Sequence, residues 1–260
     1  MAALVQGLAM VAFLVIGWRY PRVPGIPLIN RDVISNLVNG VVLFALRVVL
    51  VSKVAAWATF GLVDAAGWPV WLQLLGAFLA LDFTRYWVHF ADHRVPWLWT
   101  FHRVHHSAER MDSTTGLRMH VVDFVQLSAI PIVLFGVILD TSAWPAWVLP
   151  AALGVGALMD AFQHANLRVD SRAPWFRVWN LVLNSPHFHS WHHTRDGHLR
   201  DGNYANTLVI WDRLFGTEVT QPVPPEAYGI LASESIANDP LSWLILRKRV
   251  AQVVDAEAAR

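Results

Sequence analysis

Apolar and polar positions in this chain fall into long blocks. Residues 3–18 are apolar and end at Trp18 and Arg19. A loop follows with Arg22, Arg31, Pro21, Pro24 and Pro27, a combination that interrupts helix. Residues 33–51 form a second apolar run, interrupted by Arg47; Lys53 follows, and a further piece reaches Leu62. One long tilted span, or a span plus an interfacial turn, accounts for it. Gly67 and Pro69 close this stretch. Val70 to Phe90 is a further span whose last turns carry Asp82, Arg85 and His89. Residues 91–121 are polar. Residues 122–139 are apolar again, broken near Asp140, Thr141 and Ser142, and residues 143–163, with Pro145 and Pro150, end at His164. The chain is more polar after Asn166. Asp239 to Arg260 reads as a helix that either lies on a membrane surface or forms a solvated tail.

Apolar runs approaching 20 residues predict bilayer-crossing helices. The expected fold class is all-α: an integral membrane protein with about four to six transmembrane helices. Residues 1–69 are its N-terminal membrane helices and 229–260 a helical tail. The first apolar block has no basic leader and no clear small-residue cleavage site, so it reads as a retained span.

Composition strengthens this picture. Hydrophobic residues make up 55% of the 260 positions and charged residues 15%, against about 25% in soluble domains. The mean hydropathy is +0.39. Fourteen tryptophans suit a membrane–water interface. A net charge of +1 invites no nucleic-acid partner. Cysteine is absent, which excludes disulfides, iron–sulfur clusters held by cysteine and thiolate zinc sites. Any metal must be held by nitrogen and oxygen. Arginines between the first two blocks place that loop in the cytoplasm. If residues 33–64 cross once, residues 91–121 and everything from His164 onward also fall on the cytoplasmic side.

Histidine placement changes the reading from architecture to chemistry. His89 and His93 form HxxxH; His102, His105 and His106 form HxxHH; His189, His192 and His193 form a second HxxHH. On a helix, residues three or four apart share a face, so each motif aims imidazoles at a common point. Imidazole nitrogen suits iron, zinc, copper and nickel. These eight, with His120 and His164, exceed what one metal takes and fit two metals, each with an open position. His120 and His164 stand alone, and a core histidine bonded to a backbone carbonyl is the other role open to each. His189 can also act behind the ligands. His187 and His198 divide between that role and plain surface. Trp87, Trp97, Trp99 and Phe101 flank the first cluster, as interfacial anchors or as the lining of a substrate entry.

The ordered pieces DFTRYWVHFADH, LWTFHRVHHSAERM, LRMH, FQHAN, SPHFHSWHH and DGNYANTLVIWDRLFGT resemble the fatty acid hydroxylase/sterol desaturase superfamily of membrane di-iron oxygenases. The resemblance covers about residues 75 to 228 and implies a catalytic domain over 70–228 beneath a cytoplasmic, histidine-rich cap. It implies two iron ions held by His89, His93, His102, His105, His106, His164, His189, His192 and His193, with His120 as a tenth ligand. Asp82, Asp201 and Asn203 match polar positions that support the ligands. Two positions depart from the family pattern: Val121 stands where proline usually follows the arginine-x-histidine, and Ala205 where glycine usually follows Asn-Tyr. The implied activity is hydroxylation or desaturation of an unactivated C–H bond of a lipid, fatty acyl or sterol-like, with dioxygen and electrons. No acid or base side chain breaks such a bond at neutral pH; a metal cofactor must carry the chemistry. The chain shows no nicotinamide fingerprint, flavin site or cytochrome domain, so electrons are expected from a separate donor (a reductase, ferredoxin or cytochrome). Zinc is expected as an adventitious replacement for iron.

Two other classes compete. A membrane zinc-dependent hydrolase would use zinc-bound water, but such sites usually place a glutamate inside the histidine motif. Here Asp92 is the nearest carboxylate. A non-enzymatic haem or electron-transfer protein would place paired histidines mid-span, whereas these cluster at span ends.

Overall fold

The apolar blocks fold as helices. The computed structural model describes residues 2–57 and 61–248. Five long helices build the body: α1 (Ala2–Arg19), α2 (Arg31–Trp57) and α3 (Val70–Arg94), then, after the short α4 (Pro96–His106), α5 (Val121–Ile138) and α6 (Val148–Gln163). The second block is thus one continuous helix as far as Trp57. Two-residue strands β1 (Val63–Asp64) and β2 (Leu139–Asp140) pair in parallel at one end of the body.

Five shorter helices follow: α7 (Pro174–Trp179), α8 (Pro186–His192), α9 (Gly197–Arg200), α10 (Ile210–Leu214) and α11 (Pro240–Leu244). Of the helix expected from Asp239, Pro240–Leu244 is helical among the described residues. It stops at Leu244, Leu246 adopts a left-handed φ of 54°, and Lys248 bridges to Ile236. The rest of that stretch, 249–260, lies outside the described residues.

Helix α3 packs against α5 and α6, α1 against α6, and α2 against α5. At the β1–β2 end, Ala65, Ala77, Leu81, Phe135, Leu139 and Ala152 form a buried core. Among the described residues, α5 alone is both long and apolar enough to cross a membrane, with a mean hydropathy of 2.2; α1 and α6 are apolar but shorter.

The opposite end of the body is polar, and local rules shape it. The residue before a proline avoids helical geometry, so Val95 is extended (φ −101°, ψ 112°) and turns the chain between α3 and α4. Pro96 then opens α4 at a position whose missing N–H costs nothing. Pro186 does the same for α8, where the Ser185 hydroxyl accepts from Phe188 N–H. Arg118, 1% exposed, ties this end together: its guanidinium donates to Ser107 Oγ at 2.9 Å and Asn238 Oδ1 at 2.7 Å, and lies 4.5 Å from the Trp243 ring.

Candidate metal centre

Nine histidines converge where α3, α4, α6 and α8 end. Their ligand-capable atoms form two groups, each within 4.8 Å: His89, His93, His102, His106 and His192 in one, His105, His164, His189 and His193 in the other. Each HxxHH motif therefore straddles both groups. His102 and His106, four residues apart, serve the first group, while His105 turns to the second. His189 and His193 serve the second, while His192 turns back to the first. The cause is helical: consecutive residues are rotated by about 100° around the axis, so the adjacent histidines at the end of each motif face different ways.

The rings meet through their Nε2 atoms. His102 Nε2 lies 3.1 Å from those of both His89 and His106, and His93 Nε2 lies 3.1 Å from that of His106. In the second group, His164 Nε2 is 3.2 Å from His105 and 3.0 Å from His189, and His189 is 3.1 Å from His193. Ligand nitrogens about 2.1 Å from a shared cation stand roughly 3.0–3.4 Å apart, so the spacing fits.

The outer nitrogens fix the tautomers. A carbonyl only accepts, so Nδ1–H donates from His89 to Tyr204 O (2.7 Å), from His192 to Gly202 O (2.8 Å), from His164 to Asp160 O (2.7 Å) and from His105 to Arg118 O (3.3 Å). Carboxylates take the same role for His102 (Asp123, 3.1 Å) and His93 (Asp201, 3.3 Å). Each such ring presents a bare Nε2 lone pair to its neighbours. Buried lone pairs facing one another are costly unless a cation accepts them, and His192 Nε2 is buried with no hydrogen-bond partner at all. The donor set fits metal.

Not every expected residue joins. His120 lies outside both groups. It caps α5: its Nδ1 accepts from Val122 N–H at 3.0 Å and its Nε2–H donates to Leu244 O at 3.0 Å. Neither nitrogen keeps a lone pair for a metal. Val121 is the first residue of α5, where proline is favoured but not required. His187 bonds Gln221 O, and His198 is exposed. Asp82 touches no imidazole; its carboxylate accepts from Thr207 N–H, Leu208 N–H and Trp211 Nε1–H, pinning the loop before α10 to α3. Asn203 acts through the backbone. Its left-handed φ of 57° presents the flanking carbonyls of Gly202 and Tyr204 to His192 and His89. Ala205 needs no glycine geometry and donates N–H to Asp212.

Asp123, beside His102, was not singled out from the sequence. It carries no motif spacing, and only α5 packing brings it to α4. Trp99 belongs here as well: its ring stands 5.1 Å from His93 and 5.4 Å from His106, under the Arg200 guanidinium at 4.3 Å.

Burial, then neighbouring imidazoles, hold His105, His106, His189, His192 and His193 well below the ordinary value of 6.5. Burial also lowers His164, opposed by Asp160. At His102 burial acts downward too, but the Asp123 carboxylate prevails and the value is raised. Apart from His102, these rings are thus held neutral at neutral pH, the form that binds metal. Where a histidine is depressed in the fold, the unfolded chain binds more protons just below pH 6.5, and stability falls with acidification. His102 works in the opposite sense but is outnumbered. The melting midpoint of metal-free protein is expected to drop between about pH 7.5 and about pH 5.5. A flat or rising midpoint would contradict the buried neutral cluster.

The fatty acid hydroxylase family model matches residues 74–217, the stretch holding all nine clustered histidines. Alkylglycerol monooxygenase from Xenopus tropicalis is 31% identical over 218 residues, 80% of this chain and 44% of that protein. The human alkylglycerol monooxygenase is 31% identical over 191 residues, 73% of this chain and 39% of its own. Ornithine lipid hydroxylase OlsE from Rhizobium tropici is 31% identical over 160 residues, 60% and 45%. The chain spans less than half the length of these relatives. No solved structure matches it. A family match over more than half the sequence, centred on the histidine groups, shows that the chain belongs to the fatty acid hydroxylase family.

Proposed function

We propose that this chain is a membrane-bound di-iron oxygenase that hydroxylates or desaturates an unactivated C–H position of a lipid. The observation that carries the reading is the meeting of nine buried imidazoles, Nε2 to Nε2, in two groups. His89, His93, His102, His106 and His192 would hold one iron; His105, His164, His189 and His193 would hold the other. Iron bound there supplies the dioxygen activation that the chain's own side chains cannot. The protein keeps most of the rings neutral, fixes six tautomers through the outer acceptors and excludes bulk water by burial. Hydroxylation of one C–H bond consumes one dioxygen, two electrons and two protons; one oxygen atom enters the lipid and the other leaves as water. Desaturation takes the same inputs, releases two waters and leaves a double bond. A separate electron donor provides the electrons.

The relatives named as alkylglycerol monooxygenase and ornithine lipid hydroxylase support a lipid substrate. A multi-pass membrane position, with the metal centre on the cytoplasmic side, is supported by apolar side chains exposed on α1, α2 and α5 (Leu4, Leu8, Val41, Phe44, Leu134 and Ile138) and by the basic loop after α1. The carboxylates nearest the first group, Asp92 and Asp123, gather on His102 rather than among the facing Nε2 atoms.

Elemental analysis of protein purified in mild detergent from iron-supplemented cells tests the reading. About two irons per chain are expected, with incorporation of labelled dioxygen, or loss of two hydrogens, in a lipid given a reductase. Metal-free protein that remains active overturns it, as does one zinc per chain with hydrolytic turnover.

A further inference from the structure

A cavity of about 120 Å³ opens between α2, α3, α5 and α6. Its lining is graded along each helix. On α3 the order toward the histidines is Phe78, Leu81, Asp82, then Arg85, with the Asp82 carboxylate already taken up by the loop before α10; on α6 it is Ala152, Leu153, Gly156, Ala157, then Asp160. Leu43, Phe44, Leu127 and Ile132 complete the apolar part. The far end is closed by the core around Ala77, Phe135 and Ala152. The near end is polar, and its position is set by sequence spacing. Arg85 lies four residues before His89 of the first group, and Asp160 four residues before His164 of the second. Four residues advance a helix by about 6 Å, so the polar end of the cavity sits one turn from both groups at once.

Arg85 and Asp160 are not locked together. The closest guanidinium–carboxylate approach is 3.9 Å, a long ion pair without a hydrogen bond, and the Asp160 carboxylate also lies 3.7 Å from His164 Nδ1. Room is kept on both sides. A methyl at Gly156 would touch Arg85 Nη1 at 3.8 Å, and one at Gly116 would collide with the Asp160 carboxylate. An ionisable side chain that faces a cavity among apolar helices marks a binding position by default.

We propose that this end of the cavity is a subsite for the hydroxylated head of a lipid, whose tail lies along the apolar part. This rests on the oxygenase reading for its chemical consequence, though not for the binding itself. The donor–acceptor pair selects the head. A hydroxyl accepts from the Arg85 guanidinium and donates to the Asp160 carboxylate, whereas a carboxylate head meets repulsion from Asp160. Binding head-inward brings the first few carbons beside the histidine groups and leaves the tail end remote. The oxygen atom, with its partner leaving as water at the expense of two donor electrons and two protons, is then placed near the head.

The test uses the full chain in mild detergent, with tritiated hexadecanol and tritiated hexadecane in a proximity binding assay. Hexadecanol is expected to bind at least about tenfold more tightly than hexadecane, about 1.4 kcal/mol. Arg85→Gln is expected to abolish that preference while hexadecane binding and metal content stay as in the wild type; Arg85→Lys keeps part of it. Unchanged hexadecanol binding in Arg85→Gln overturns the subsite. So does an equal loss for both lipids, which would make the pair a helix staple only. A second arm locates oxygen from labelled dioxygen in the hexadecanol product: the first few carbons support head-inward binding, and mid-chain or tail positions overturn it. If no lipid is oxidised by the wild type, the oxygenase reading fails, and the binding arm still decides the subsite.

Discussion

Replacing His192 or His105 by alanine is expected to remove one metal of the two and to abolish turnover. The two variants strike different groups. His192 is the one ring that α8 sends to the first group, and its buried Nε2 has no other partner. His105 is the one ring that α4 sends to the second, 3.2 Å from His164. Loss of a supporting partner behind a ligand costs about 10–100-fold in metal affinity or activity, so loss of the ligand itself is expected to exceed about a hundredfold. Metal content and single-lipid turnover, measured on the same preparation, check both. Membrane insertion should not change, since neither ring faces the apolar helix surfaces. His120→Ala serves as control: it keeps both metals and costs roughly 1 kcal/mol of stability as a lost helix cap. Full activity in His192→Ala or His105→Ala would defeat the ligand assignment, and metal loss in His120→Ala would restore that residue to the set.

The contrast between His120 and the nine shows what spacing can reveal. Motif repetition identified His89, His93, His102, His105, His106, His189, His192 and His193 because the helical period makes three- and four-residue offsets meaningful. A lone histidine carries no such period. His164 and His120 looked alike in sequence, and only the fold separates them: one closes α6 with its Nε2 turned inward, the other opens α5 with both nitrogens bonded. The division of each HxxHH between two groups was not legible either. It depends on where the axes of α4 and α8 lie relative to each other, which is a tertiary quantity. The supporting partners were least visible. Four are backbone carbonyls, which every residue possesses, so no residue type announces them. The helical body was legible in its boundaries to within a few residues at α3, α5 and α6, because apolar blocks and proline breaks are local signals. In the tail from Asp239, the described residues show Pro240–Leu244 as helix and Leu246 as left-handed, a local break that leaves no mark in the polarity pattern.

Asp123 supplies the sharpest test of the supporting shell. It is fully buried in the first turn of α5, and its Oδ1 accepts from His102 Nδ1–H at 3.1 Å. That bond does two things. It keeps the proton on Nδ1, so Nε2 faces His89 and His106 as a lone pair, and it raises the basicity of the ring against the pull of burial. Asp123→Ala removes both effects, and the ring is free to rotate or to change tautomer. The expected result is a first group about 10–100-fold weaker in metal affinity, with the second group unaffected. Asp123→Asn keeps an acceptor without the charge and should fall between alanine and wild type. Competition with a graded chelator reads this directly: one metal per chain leaves at lower chelator concentration, and the other leaves as in the wild type. Alanine that holds both metals as tightly as aspartate would make Asp123 a packing residue. Equal weakening of both metals would mean that the two groups behave as one site, and the division drawn from the nitrogen positions would have to be abandoned.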